Sequence, residues 1–71
     1  MKNHLEAIRK ENKMSQEEMA DMLGVSRQTI SSLENGRYNP SLQLAFKISR
    51  MFNMSIETIF IDERETHGKE S

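Results

Sequence analysis

Cysteine is absent from these 71 residues, which excludes disulfides, thiolate metal sites and thiol nucleophiles and is compatible with a reducing cytoplasm. No stretch approaches the ~20 apolar residues that cross a bilayer, and the N-terminus MKNHLEAIRK lacks the apolar run of a signal peptide. A soluble, cytoplasmic chain without membrane association is therefore expected. Strand signals are nearly absent, as are internal repeats and low-complexity segments. The two histidines, His4 and His67, lie near opposite termini with no second ligand at metal spacing, so both read as solvated side chains and not as a metal site. No nucleophile, metal cluster or acid–base constellation is present, which argues against an enzyme, and nothing implies a cofactor or small-molecule ligand.

A basic excess is also missing. The net charge is −1, whereas a basic footprint is the usual sign of a nucleic-acid partner. The distribution softens that objection. Residues 1–60 carry eight Lys or Arg against seven Asp or Glu, and the tail 61–71 carries two against four. Few phosphates can be met by full charges, so neutral donors and helix N-termini would have to make much of any backbone contact. A chain of this size buries only about 60% of its unfolded surface, enough for one core of short helices and no separate sensing domain. The expected organisation is one domain over residues 1–61 and a polar, flexible tail over 62–71.

One local pattern occurs three times. Met14-Ser15 precedes Met19, Val25-Ser26 precedes Ile30, and Met54-Ser55 precedes Ile59. In each, an apolar residue before a serine cap meets an apolar residue in the first helical turns, the hydrophobic staple, and Ser15 with Glu18 adds a capping box. A first helix is expected over about residues 3–12 with Leu5 and Ile8 inward. The second spans Gln16 to Leu23, buries Met19, Ala20 and Leu23, and ends at Gly24, which can adopt positive φ. The third follows Ser26 and ends before Gly36. The fourth starts either with Asn39 as cap and Pro40 at the first helical position or with Ser41 as cap, and carries Leu44, Ala45, Ile48, Met51 and Phe52 inward. The fifth covers Ile56 to about Ile61. The fold class is all-α, with five helices.

The third helix has an unusual outer face. At about 100° per residue, Ile30, Leu33 and Glu34 share one side while Gln28, Ser32 and Asn35 lie roughly opposite, flanked by Arg27 and Ser31. Gln and Arg are the side chains that bond bidentately to adenine and guanine edges in the major groove. The second and third helices thus read as a helix-turn-helix with the segment Ser26 to Asn35 as its reading helix.

The pattern Ser15-Gln16, Ala20, Gly24-Val25-Ser26, Ile30-Ser31 and Leu33-Glu34-Asn35-Gly36, continued by Arg37, Asn39-Pro40-Ser41-Leu42 and Leu44-Ala45-Phe46-Lys47-Ile48, resembles the phage-repressor and Cro-like (XRE-type) helix-turn-helix family over about residues 3–60. The resemblance implies a lambda-repressor-like DNA-binding domain. It also implies roles at matching positions. Arg27, Gln28 and Ser32 would read bases, Ser32 with a short reach that favours water mediation. Gln16, Asn35 and Arg37 would contact phosphates, and Arg9 and Glu34 would form a partly buried ion pair; beside the resemblance, Ser26 and Tyr38 are read as further phosphate contacts. For each there is a plainer reading as a solvated surface residue, and Tyr38 can equally pack over its loop. Ser31 reads as a packing residue, and the six Met as core filler. Ile56, Ile59, Phe60 and Ile61 crowd a six-residue stretch that a small monomer cannot easily bury, so they are expected to form a dimer interface. The resulting expectation is a homodimer that binds double-stranded DNA at a near-palindromic operator and represses transcription. The alternatives are an antitoxin or other protein-interaction module of the same fold, and an adaptor that reads no bases.

Overall fold

Serine begins four of the five helices and a left-handed residue ends four of them. In the computed structural model, which describes residues 2–61, α1 spans Leu5–Glu11, α2 Gln16–Leu23, α3 Arg27–Glu34, α4 Leu42–Phe52 and α5 Ile56–Ile59. The Ser15, Ser26, Ser41 and Ser55 hydroxyls accept from the backbone N–H three residues on, at 3.0–3.2 Å. Each satisfies one of the orphan donors of a helix start, worth about 1 kcal/mol. The box at Ser15 is complete, because Glu18 reaches back to the Ser15 N–H at 2.8 Å. Ser41 is the α4 cap. Pro40 stands before it, outside the helix.

The helix ends repeat one motif. Lys13, Gly24, Gly36 and Asn53 have φ of 57°, 74°, 76° and 55°. After each, two backbone N–H groups turn back onto the helix: Lys13 and Met14 onto Lys10 and Arg9, Gly24 and Val25 onto Asp21 and Ala20, Gly36 and Arg37 onto Leu33 and Ser32, and Asn53 and Met54 onto Arg50 and Ser49. This is the Schellman arrangement, which needs a left-handed residue and occupies the orphan carbonyls. At Lys13 a β-carbon sits in that conformation at a cost of about 1–2 kcal/mol.

Leu5, Met19, Ile30, Leu33, Ile48 and Ile59 are the largest fully buried side chains, so all five helices feed one core. Met14, Val25 and Met54 pack against it from the staple positions. Burial of each such side chain contributes about 1.5–3 kcal/mol.

Three expectations are corrected at the chain ends. Helix α1 begins at Leu5 and not at residue 3, because Asn3 lies outside it and its side chain accepts from the Leu5 N–H at 3.0 Å. Helix α5 stops at Ile59: Phe60 is extended and pairs antiparallel with Asn3. Bonds of 2.8 Å from His4 N–H to the Ile59 carbonyl and 2.9 Å from Ile61 N–H to the Lys2 carbonyl flank that bridge. The third correction concerns the proposed interface. Ile59 is fully buried and Phe60 is 6% exposed within a single chain. Both belong to the core of the single chain, so their apolar surface needs no second copy; Ile56 and Ile61 remain half-buried. The expected tail 62–71 lies outside the described residues.

Candidate nucleic-acid interface

The frame under the reading helix is a polar cluster. Glu34, at the inward end of α3, takes the Arg9 Nε at 2.6 Å and its Nη2 at 3.3 Å. The third Arg9 donor, Nη1, reaches the Met14 carbonyl at 2.8 Å. Both charged side chains are nearly inaccessible, at 9% and 3% exposure, which makes the pairing obligatory, since an unpaired charge here would be costly. The hydrogen bond to Glu34 raises the Arg9 pKa above the ordinary guanidinium value; burial opposes this, and the charges of Glu34 and Glu6 reinforce it. Arg9 therefore stays protonated. The expected ion pair thus joins α1 to α3, and it extends further than the residue pattern indicated. Gln16 Nε2 donates to Glu34 Oε1 at 3.0 Å, tying the first turn of α2 into the same cluster.

The geometry of α2 against α3 follows from the turn between them. With Gly24 left-handed and Ser26 extended, the chain reverses in three residues. Ala20, 2% exposed, adds only a methyl to the core one turn before Gly24. Helix α3 then lies with Ile30 and Leu33 in the core and its other side in solvent.

On that outer side Ser26, Gln28, Thr29, Ser32, Arg37 and Tyr38 line a shallow groove of about 340 Å³. Five of these six were expected at the site. Arg27 is exposed but outside the lining, and Asn35 is exposed at the end of α3. Ser26 is partly committed, because its hydroxyl caps Thr29 N–H and lies 2.9 Å from the Thr29 hydroxyl. Tyr38 is 45% exposed and stands with Thr29 between this groove and a second, of about 260 Å³, whose walls include Val25, Gln43 and Lys47. Packing and partial exposure thus coexist in its ring. Thr29, Gln43 and Lys47 were not singled out from the sequence; Thr29 is the one whose position, a turn before Ser32 and beside Gln28, carried a signal.

The electrostatics of the exposed face are sparse. Arg27, Arg37 and Lys47 are its solvent-facing cations. Among the described residues, the side chains of Arg27, Gln28, Ser32 and Arg37 make no hydrogen bond to the rest of the protein. No buried side-chain nitrogen or oxygen among those residues lacks a partner. Polar groups are saturated inside and idle along one exposed row. Also among the described residues, no helix is long and apolar enough to cross a membrane, and no group of three or more His, Asp or Glu is placed to hold a metal ion.

Comparison with known proteins places the chain. A helix-turn-helix family model matches residues 5–59. The chain is 54% identical over 63 residues to an uncharacterised HTH-type transcriptional regulator of Methanocaldococcus jannaschii, covering 89% of this chain and 96% of that protein. It is 50% identical over 70 residues to an uncharacterised HTH-type transcriptional regulator of Archaeoglobus fulgidus, covering 97% and 100%. A more distant match, 32% identical over 59 residues, is the immunity repressor protein of Bacillus phage phi105, with 83% of this chain and 41% of that protein covered. With the residue pattern, the turn geometry and these matches in agreement, the chain belongs to the helix-turn-helix family and is a small regulator of the phage-repressor and Cro-like type.

Proposed function

We propose that this protein binds double-stranded DNA sequence-specifically, as a homodimer on a near-palindromic operator, and represses transcription by occupying a promoter. The observation that carries this reading is the row Arg27, Gln28, Ser32 and Arg37 on and just after α3, with Ser32 half-buried and the others exposed, whose side chains have no internal partners in a protein whose buried polar groups are satisfied. In the major groove Arg27 and Gln28 would bond base edges, and Ser32 would act through water. Asn35, Arg37 and Tyr38 would hold phosphates on one side of that helix. On the other, Gln16 would use the amide N–H and carbonyl oxygen that its bond to Glu34 leaves over, beside the N-terminus of α2. Ser26 would contribute through the start of α3. The domain that does this is residues 1–61, working in the cytoplasm without cofactor.

A second copy is supported by exposed apolar surface. Leu42 and Phe46, one turn apart on the outer face of α4, are 69% and 46% exposed. They are better placed to meet a partner than Ile59 or Phe60; Ile56 and Ile61, half-buried, would lie at the rim. Two copies would then present two reading helices to half-sites about one helical turn, roughly 34 Å, apart. Repression is the mode favoured by the match to a phage immunity repressor.

The test is fluorescence anisotropy on DNA upstream of the protein's own gene, beside a scrambled duplex, across a salt series. Tight binding to one duplex and weak binding to the other is the expected result. Equal, weak binding to both would overturn the reading in favour of a protein partner. Sedimentation velocity with and without Phe46→Ser checks the second copy: a wild type that stays monomeric at micromolar concentration rejects it.

A further inference from the structure

We propose that Asn3 is a positioning residue for DNA recognition, its side-chain amide clamping the last turn of α3 to the paired chain ends and so fixing where Asn35 and Arg37 stand. This role rests on the DNA-binding reading above. Three elements meet at one residue. Asn3 Nδ2 donates to the Leu33 carbonyl at 2.8 Å, across 30 residues of sequence. Asn3 Oδ1 accepts from the Leu5 N–H at 3.0 Å, at the start of α1, whose His4 supplies no side-chain cap. The Asn3 backbone pairs with Phe60.

The Leu33 carbonyl is the pivotal atom. It also accepts the Gly36 N–H at 3.0 Å, one of the two bonds that close α3. A carbonyl oxygen has two lone pairs, and here Asn3 and Gly36 are seated on the same one. The other closing bond runs from Arg37 N–H to the Ser32 carbonyl at 3.0 Å. The turn that carries Asn35, Gly36 and Arg37 is thus anchored through Leu33 to a body outside its own helix. The terminal turn of a short helix is where fraying is cheapest. An outside anchor holds the backbone of Asn35 and Arg37 in one place, so that a phosphate clamp there is preorganised.

The chemistry selects asparagine. The position needs a donor toward a carbonyl and an acceptor toward an N–H on one short, rigid side chain. Aspartate keeps the acceptor, caps α1 equally well, and sets a carboxylate oxygen against the Leu33 carbonyl. Serine can cap Leu5 but cannot reach Leu33. Both variants therefore keep an acceptor for the Leu5 N–H and remove the donor to the Leu33 carbonyl.

The experiment compares wild type, Asn3→Asp and Asn3→Ser at a temperature where circular dichroism reports each fully folded. Amide hydrogen exchange at Gly36 and Arg37 is expected to accelerate about tenfold in both variants, while amides of α2 hold their rates. Affinity for the preferred duplex is expected to fall about fivefold or more, with binding to the scrambled duplex changed less than about twofold. Uniform acceleration across all helices would reduce Asn3 to general stability and overturn the proposal. A selective wild type whose selectivity survives both substitutions overturns the role alone. A wild type without preference for any duplex overturns the DNA reading, and the role with it.

Discussion

The polar cluster beneath α3 and the polar row on its outer face use the same residue types for opposite ends. Arg9 is buried against Glu34, whereas Arg27 and Arg37 stand in solvent. Gln16 donates inward to Glu34, whereas Gln28 has no partner among the described residues. Ser15, Ser41 and Ser55 spend their hydroxyls on helix starts, whereas Ser32 keeps its own. In the cluster each hydrogen bond is fixed by geometry, so the side chains hold a frame and cannot adapt to a ligand. In the row nothing is spent on folding, so the full hydrogen-bonding capacity remains for another molecule. Substitutions in the two regions should therefore separate stability from recognition.

The largest expected effect is in the frame. Glu34→Ala leaves Arg9 buried without its partner and should cost about 3 kcal/mol of unfolding free energy in urea. Replacing both partners, Arg9→Met with Glu34→Leu, should restore most of it. A loss below about 1 kcal/mol for the single variant would show that water reaches the cluster and that the contrast between the regions is weaker than argued. In the row, Gln28→Ala should weaken the preferred operator by about 1–3 kcal/mol and relax its sequence preference, with unfolding free energy changed by less than about 0.5 kcal/mol. Equal loss on specific and random DNA would remove the base-reading role and leave only a backbone contact.

Smaller effects sharpen the same division. Lys13→Gly relieves a left-handed β-carbon at the end of α1 and should stabilise the fold by about 1 kcal/mol, raising the melting temperature by about 4–8 °C. Operator affinity at a temperature where both forms are folded should not move. Arg37→Ala should reduce the steepness of log affinity against log salt by about 1 per bound copy and leave the melting temperature alone. Because the exposed cations of this face are few, the wild-type dependence itself should be shallow, about 2–4 per bound copy at roughly 0.9 per phosphate met.

Much of the frame was legible because its signals are local. A serine cap, the apolar residue before it and the one after it are neighbours in sequence, so Ser15, Ser26 and Ser55 announced α2, α3 and α5 without reference to the rest of the chain. Gly24 and Gly36 announced helix ends for the same reason. Lys13 did not, because lysine has no preference for the left-handed region, and the surrounding contacts alone impose it. At Asn3 the ambiguity was physical: an asparagine there can begin a helix or precede one, and its bond to Leu33 spans 30 residues. The candidate site divides the same way. Periodicity placed Gln28 and Ser32 on an outer face, while Lys47 joined the surface through the second groove, where residues of α4 meet the turn at Gly24 and Tyr38.

The apolar end of the chain draws the line between the two kinds of information most clearly. Cap residues and periodicity determined that the chain is all-α, where α2, α3 and α5 begin and which face of α3 is polar, because each depends on residues within a few turns of one another. Whether Ile59 and Phe60 face a partner or a core could not be read there. Both were crowded into an apolar stretch, and in the fold they join the core beside a backbone pairing between residues 2–4 and 59–61. Likewise, Glu34 needed a cation, but its sharing of Gln16 depends on where the turn at Gly24 aims α2. Hydrogen bonds between segments far apart in sequence leave no local pattern, so tertiary structure alone decided which surfaces of this protein are closed and which are left to meet another molecule.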